Sequence, residues 1–143
     1  MPSVFTWPVR VYYEDTDAGG IVYYANYLKF YERARTEWLR SLGIHQQDLL
    51  AGEGAAFVVR SASVDYVGAA RLDDELTLRL GIEKLGRVSV EFAQQAWRGD
   101  TLLSSATVKV GCVDAATMRP RSIPDIAADK MRAHIAGSPT PSI

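Results

Sequence analysis

One stretch near the start of the chain repeats its apolar residues every three or four positions, and four later stretches alternate apolar and polar residues. In ELTLRLGIEKL (75–85), Leu76, Leu78, Leu80 and Ile82 fall on one side. This strict period of two is the pattern of a strand with one buried face. Residues 87–97 alternate Val88, Val90 and Phe92, and residues 102–113 alternate Ala106, Val108, Val110 and Cys112. FVVRSASVDYV (57–67) is rich in β-formers. LGR (85–87) and RGD (98–100) read as hairpin turns. Earlier, Tyr27, Tyr31, Ala34, Trp38 and Leu42 recur at spacings of three and four. They predict a helix from about Tyr23 to Leu42, stopped at Gly43. Ala25, Leu28 and Leu39 widen its apolar stripe. Lys29, Arg33, Glu37 and Arg40 take the wet side, with Arg33 and Glu37 spaced as an i,i+4 pair. A helix this apolar is wrapped on much of its circumference.

The remaining elements are shorter. VRVYYE (9–14) reads as a strand and residues 15–22 as a loop, because Asp, Thr and paired Gly are turn chemistry. QQDLLAGEG (46–54) reads as a short helical turn or loop. Residues 124–135 read as a helix with Pro124 near its start. No proline interrupts residues 9–119. The order strand, long helix, four strands predicts an α+β architecture, an antiparallel sheet with the helix across one face. Five strands in an open sheet leave edges, so a dimer pairing edge strands is expected. Residues 1–136 are expected to form one domain and 137–143 a flexible tail.

Composition narrows the classes. The 143 residues suit one domain, which buries roughly 68–70% of its unfolded surface. Hydrophobic residues are 48%, charged residues 23%, and the formal net charge is −1, with no basic stripe for nucleic acid. The single cysteine, Cys112, excludes an intramolecular disulfide and a Cys-rich zinc site. No apolar run approaches the ~18 residues of a membrane span. MPSVFTWPVR lacks a charged n-region and a long apolar h-region, so no secretory signal is predicted. A reducing, cytoplasmic compartment is the expectation.

Candidate chemistry concentrates in one place. Glu14, Asp15 and Asp17 precede Gly19 and Gly20, and the long helix follows. A calcium loop would need a side-chain ligand at Gly19 and a bidentate Glu at Asn26, and has neither. There is no GxSxG, Walker A or GxGxxG motif. His45 and His134 lie outside any triad pattern, and Cys112 is in phase with buried strand residues. Asp15 and Asp17 can simply shape a turn beside the helix N-terminus. They can also do acyl transfer. Glycines admit a ligand close to the backbone, and a helix start presents free N–H groups with about +0.5 of dipole charge. A carboxylate then attacks or activates water, while the N–H groups hold the oxyanion, each such donor commonly worth ~2.7–4 kcal/mol. A thioester suits this chemistry, because its leaving thiolate needs little protonation.

The run Tyr13-Glu14-Asp15-Thr16-Asp17-Ala18-Gly19-Gly20-Ile21-Val22-Tyr23-Tyr24-Ala25-Asn26-Tyr27 resembles the active-site signature of the 4-hydroxybenzoyl-CoA thioesterase family of hot-dog proteins. Phe30-Tyr31-Glu32-Arg33-Ala34-Arg35 brings it closest to the Tol–Pal-associated acyl-CoA thioesterase branch, and Val64-Asp65-Tyr66 and Ala70-Arg71-Leu72-Asp73-Asp74-Glu75-Leu76 resemble the family's second stretch. The resemblance spans residues 9–120. It implies a hot-dog fold, a sheet of five or slightly more antiparallel strands around one central helix, assembled as dimers and often tetramers. It implies metal-free, cofactor-free hydrolysis of acyl-CoA to a free acid and CoA. It assigns the catalytic role to Asp17, as nucleophile or general base, and the oxyanion N–H to Tyr24, with Tyr13 as a further site residue. Many members of the branch carry His at the position of Tyr24; the 4-hydroxybenzoyl-CoA enzyme of pseudomonads carries Tyr, and a backbone donor survives either. Arg33, Arg35, Arg71, Lys84 and Arg87 are candidates for CoA phosphates or plain surface charge. An acyl carrier protein thioester is an alternative substrate, and a non-hydrolytic acyl-CoA-binding scaffold is an alternative role.

Overall fold

The alternating segments become the strands of one sheet, and the three-four repeat becomes the helix that covers it. The structure, a computed structural model, describes residues 4–136; the tail expected at 137–143 lies outside them. In chain order the elements are β1 (Phe5–Arg10), a 3-10 turn (Tyr13–Asp15), α1 (Asn26–Ser41), α2 (Gln46–Glu53), β2 (Ala55–Tyr66), β3 (Glu75–Leu85), β4 (Ser89–Arg98), β5 (Thr101–Asp114) and α3 (Asp125–Ala136). The strands form a five-stranded antiparallel sheet in the order β1-β3-β4-β5-β2. Hairpins join β3, β4 and β5, and Gly99 at φ 57 opens the two-residue turn between Arg98 and Thr101.

The core is the sheet's inner face against α1. Leu76, Leu78 and Leu80 of β3 and Val90, Phe92, Val108 and Val110 of β4 and β5 are buried, as are Tyr27, Phe30, Tyr31, Ala34 and Trp38. The Trp38 and Phe92 rings meet edge to face at 5.5 Å. One polar chain runs through this layer. The Tyr31 hydroxyl donates to Ser104 Oγ (2.7 Å), Gln94 Nε2 donates to the Tyr31 carbonyl (3.0 Å), and Arg35 donates to Gln94 Oε1 (3.0 Å). Each buried polar side chain in it has a partner, as burial requires.

Several local readings need correction. The first strand is 5–10, not 9–14. It includes Pro8, which an edge strand tolerates. The chain leaves the sheet at Val11 and turns, because the Asp15 carboxylate accepts the Tyr12 N–H at 2.9 Å. The helix begins at Asn26 rather than Tyr23. Glu37 pairs with Arg40 at 2.7 Å rather than with Arg33. Residues 46–53 are a true helix, ended by Gly54 at φ 67. Val88 lies in the β3–β4 hairpin and is exposed.

One connection matters more than its length suggests. β2 and β3 follow each other in sequence but do not pair. Residues 67–74 carry the chain across three strand spacings, about 14 Å, a distance eight residues cover easily. They cross at the end of the molecule where α1 starts, and the acid-rich loop docks on them.

Candidate active site

Asp17 sits on a tight turn that projects from the start of α1. Thr16 and Val22 pair as an isolated antiparallel bridge. Inside it, the Asp17 N–H donates to the Ile21 carbonyl (2.9 Å) and the Gly20 N–H donates to the Asp17 carbonyl (3.0 Å). Gly20 takes φ 79, a left-handed conformation that costs a side-chain-bearing residue free energy. Gly19 serves differently. Its N–H donates to Asp17 Oδ1 at 2.8 Å, and a Cβ there would lie 3.2 Å from that oxygen. The first glycine leaves room beside the carboxylate; the second lets the chain reverse. Asp17 itself is exposed.

Asp15 has the opposite setting. It is buried, and its carboxylate accepts the Tyr12 N–H and meets Lys29 Nζ at 3.3 Å. Its carbonyl accepts the Tyr23 N–H (3.0 Å) and Asn26 Nδ2 (2.8 Å). Asp15 therefore ties the turn to the first residues of α1 through both its side chain and its backbone. Two acids two residues apart divide the work, one inside as an anchor and one outside on the turn.

The helix start is left open. Ala25 is the N-cap and provides no side-chain cap, and the first turn holds no acid. Among the described residues the N–H groups of Tyr24 and Ala25 have no acceptor. Helix starts are ordinarily capped by Ser, Thr, Asp or Asn, so two unclaimed donors stand out here, seven and eight residues after the exposed Asp17. The Tyr24 carbonyl is engaged, accepting the Tyr66 hydroxyl at 3.1 Å. The Tyr24 ring meets Tyr23 at 5.0 Å and Tyr66 at 5.9 Å, and Tyr66 also meets Tyr27 at 5.4 Å. Desolvation, with the Tyr24 and Tyr27 hydroxyls nearby, pushes the pKa of the partly exposed Tyr66 hydroxyl up. Burial likewise raises Tyr27, whose oxygen accepts the Ala70 N–H at 3.2 Å.

Of the residues singled out from sequence, Asp17, Gly19 and Gly20 stand on this turn, and the Tyr24 N–H lies at the helix start to which Asp15 ties the turn. Tyr13 does not join them through its side chain. It lies on the 3-10 turn, 83% exposed, and its hydroxyl bonds to nothing among the described residues; its carbonyl accepts Thr16 Oγ1 at 2.7 Å. Of the basic candidates Arg71 bridges the turn through its backbone opposite Ile21. Lys84 and Arg87 lie at and just beyond the far end of β3, Lys84 being about 30 Å along the strand from Glu75 at ~3.3 Å per residue. Arg35 lines a largely apolar cavity of about 120 Å³ between the second half of α1 and the inner face of β2, β4 and β5. Burial lowers the pKa of its guanidinium. Sequence reasoning gave no place in the site to Tyr66, Lys29 or Ala70. Tyr66 and Ala70 stood in the second family-like stretch, the one signal that pointed to them.

A five-stranded antiparallel sheet holding one long helix, with this turn at the helix start, defines a hot-dog thioesterase domain. The chain belongs to the thioesterase superfamily, whose family model matches residues 19–105. An acyl-CoA thioesterase YbgC of Haemophilus influenzae is 51% identical over 120 residues, 84% of this chain and 88% of that protein. Among solved structures, a probable thioesterase from Bartonella henselae superposes with a TM-score of 0.82 at 32% identity, covering 85% of this chain and 100% of that one. A 4-hydroxybenzoyl CoA thioesterase mutant complexed with 4-hydroxybenzoyl CoA shares the fold, with a TM-score of 0.81 at 23% identity, covering 90% of this chain and 98% of that one.

Proposed function

We propose that this chain hydrolyses acyl-CoA thioesters to a free acid and CoA, with Asp17 as the catalytic carboxylate. What supports the reading is the exposed Asp17 carboxylate on a turn that Asp15 ties to the start of α1, where the N–H groups of Tyr24 and Ala25 are unclaimed among the described residues. The thioester carbonyl oxygen binds at the Tyr24 N–H, where charge develops during attack. The Asp17 carboxylate attacks the carbonyl carbon, giving a mixed anhydride that water opens, or draws a proton from an attacking water. CoA thiolate leaves unaided. The free N–H groups stabilise the tetrahedral oxyanion more than the planar carbonyl, which is the condition for catalysis. Gly19 leaves the thioester room beside the carboxylate, Gly20 reverses the chain that carries it, and the Tyr24 ring lines its approach. The chemistry calls on no metal or cofactor, since CoA is part of the substrate. Relatives named for acyl-CoA favour CoA over an acyl carrier protein as the thiol carrier, and the open donors favour hydrolysis over scaffolding.

We further propose that the chain works in the cytoplasm as a homodimer, and as a dimer of dimers. Among the described residues β2 is a twelve-residue edge strand paired on one side only, with β5. Val59 (52% exposed) and Tyr66 (44% exposed) lie on it, and Leu28 is exposed on α1. A second copy pairing along β2 satisfies that edge and covers this apolar strip. Light scattering should return an even multiple of the chain mass, and a monomer would end this part. Asp17→Asn tests the chemistry. CoA release from short aliphatic, long aliphatic and aromatic acyl-CoAs should fall ~10³-fold, about 4 kcal/mol of barrier. Parent-like activity in the variant refutes the role of Asp17. No turnover by the parent on any ester refutes hydrolysis.

A further inference from the structure

The Asp17 turn does not hold itself in place. Its returning arm docks on residues 69–71: the Val22 N–H donates to the Ala70 carbonyl (2.8 Å), and Ile21 bridges Arg71. That segment belongs to the irregular 67–74 connection. The connection's ends are fixed by backbone bonds, from Val67 and Gly68 to the Leu103 carbonyl and between Val11 and Asp73–Asp74. Its middle is fixed by one backbone bond, from the Asp74 N–H to the Arg71 carbonyl (3.1 Å), and by side chains. Arg98 Nη1 donates to the Ala69 carbonyl (3.0 Å) and to Asp74 Oδ2 (3.0 Å). The same Asp74 oxygen accepts the Arg71 N–H (2.9 Å). Tyr27 takes the Ala70 N–H.

Sorted by peptide unit, these bonds form a clamp. The unit between Ala69 and Ala70 is gripped at its carbonyl by Arg98 and at its N–H by Tyr27. The unit between Ala70 and Arg71 is gripped at its N–H by Asp74, and its carbonyl is the one that holds Val22. Arg98 stands at the β4–β5 hairpin, whose turn needs only Gly99. Nothing in the hairpin requires a guanidinium that reaches back to residues 69–74. We infer that Arg98, acting with Asp74, is a positioning pair that sets the place of the Asp17 turn through the Ala70–Arg71 peptide. Its bearing on catalysis rests on the reading of Asp17 given above.

The test is Arg98→Met, which keeps the stem and removes the donors, beside Arg98→Lys, which keeps a charge and donors. Amide hydrogen exchange is read at Val22 and Asp17 and at the sheet residues Val90 and Val108, without substrate. In Arg98→Met the turn amides should exchange about tenfold faster, the scale of losing one charge-assisted hydrogen bond. The sheet amides should hold their rates, and Lys should restore most of the difference. On acyl-CoA, kcat should fall about tenfold with KM within about twofold, because a shifted carboxylate weakens the transition state more than ground-state binding. Unchanged turn exchange, or equal acceleration everywhere, overturns the inference. So does a selective change at the turn with kcat intact in an active parent. If the parent hydrolyses nothing, the exchange result still decides the clamp while the hydrolase reading fails. If Arg98→Met does not fold, Asp74→Asn carries the same measurements.

Discussion

Replacing Gly19 and Gly20 by alanine, one at a time, should separate activity from stability. The two glycines are adjacent but serve different ends. Gly20 has φ 79, and a methyl group placed on it would enter open space, with nothing within 4 Å. Ala there meets only the left-handed penalty of ~1–2 kcal/mol. At about 3 °C per kcal/mol for a chain of this size, Tm should drop ~3–6 °C. Gly19 is outside the left-handed region, and its new Cβ would sit 3.2 Å from Asp17 Oδ1, against 3.4–4 Å for an ordinary contact. The backbone tolerates the change, and lost freedom in the unfolded chain stabilises by ~0.4–1 kcal/mol. The carboxylate must move by about 0.3 Å, and at roughly 10²-fold per ångström of misplacement the expected loss is about fourfold in kcat. Thermal melts by circular dichroism and CoA release on one acyl-CoA read both effects. Gly19→Ala should melt no lower than the parent and turn over more slowly. Full activity in Gly19→Ala would show that the Asp17 carboxylate is not held at its working position by this contact, and a Tm loss matching that of Gly20→Ala would refute the assignment of different roles.

Tyr31→Phe removes the hydroxyl that donates to buried Ser104; urea unfolding should show a loss of ~1–3 kcal/mol, with kcat unchanged because the pair lies in the sheet layer rather than at the turn. Burial pushes the Asp74 carboxyl up, but the Arg71 N–H and the Arg98 guanidinium outweigh it and hold its pKa below the ordinary value. A depressed carboxylate contributes stability above its unfolded pKa and loses it as pH falls through the folded value, so stability should decline below about pH 4 and Asp74→Asn should flatten that acid limb. Cys112 is buried and burial raises its thiol pKa. An aromatic disulfide reagent should find no reactive thiol in the native chain and one after denaturation, and fast native labelling would contradict the packing of β5.

The period-two runs at 75–85 and 102–113 and the three-four repeat after Tyr23 made the sheet and the helix legible, because alternation and helical spacing are local consequences of burying one face. The same holds for the class of chemistry: an acid, two glycines and a helix start lie within a dozen residues, short enough a stretch for one local turn to hold them. The family resemblance carried Asp17 and Tyr24 by residue. The boundaries at the first strand and at the start of α1 were not legible. They depend on Asp15, whose bonds to Tyr12, Tyr23 and Asn26 bend the chain there.

What sequence alone determined was therefore the list of parts: an α+β fold of hot-dog type, a carboxylate turn, and an apolar helix after it. Tertiary structure alone decided which acid faces inward and which outward, since Asp15 and Asp17 are the same residue type two positions apart. It also decided that β2 sits at the far edge, so that residues 67–74 cross to the helix start and receive the turn. Tyr66, Ala70 and Arg98 are forty or more residues from Asp17 along the chain. Their meeting at the turn follows from sheet order and packing, which no local pattern of apolar and polar residues encodes.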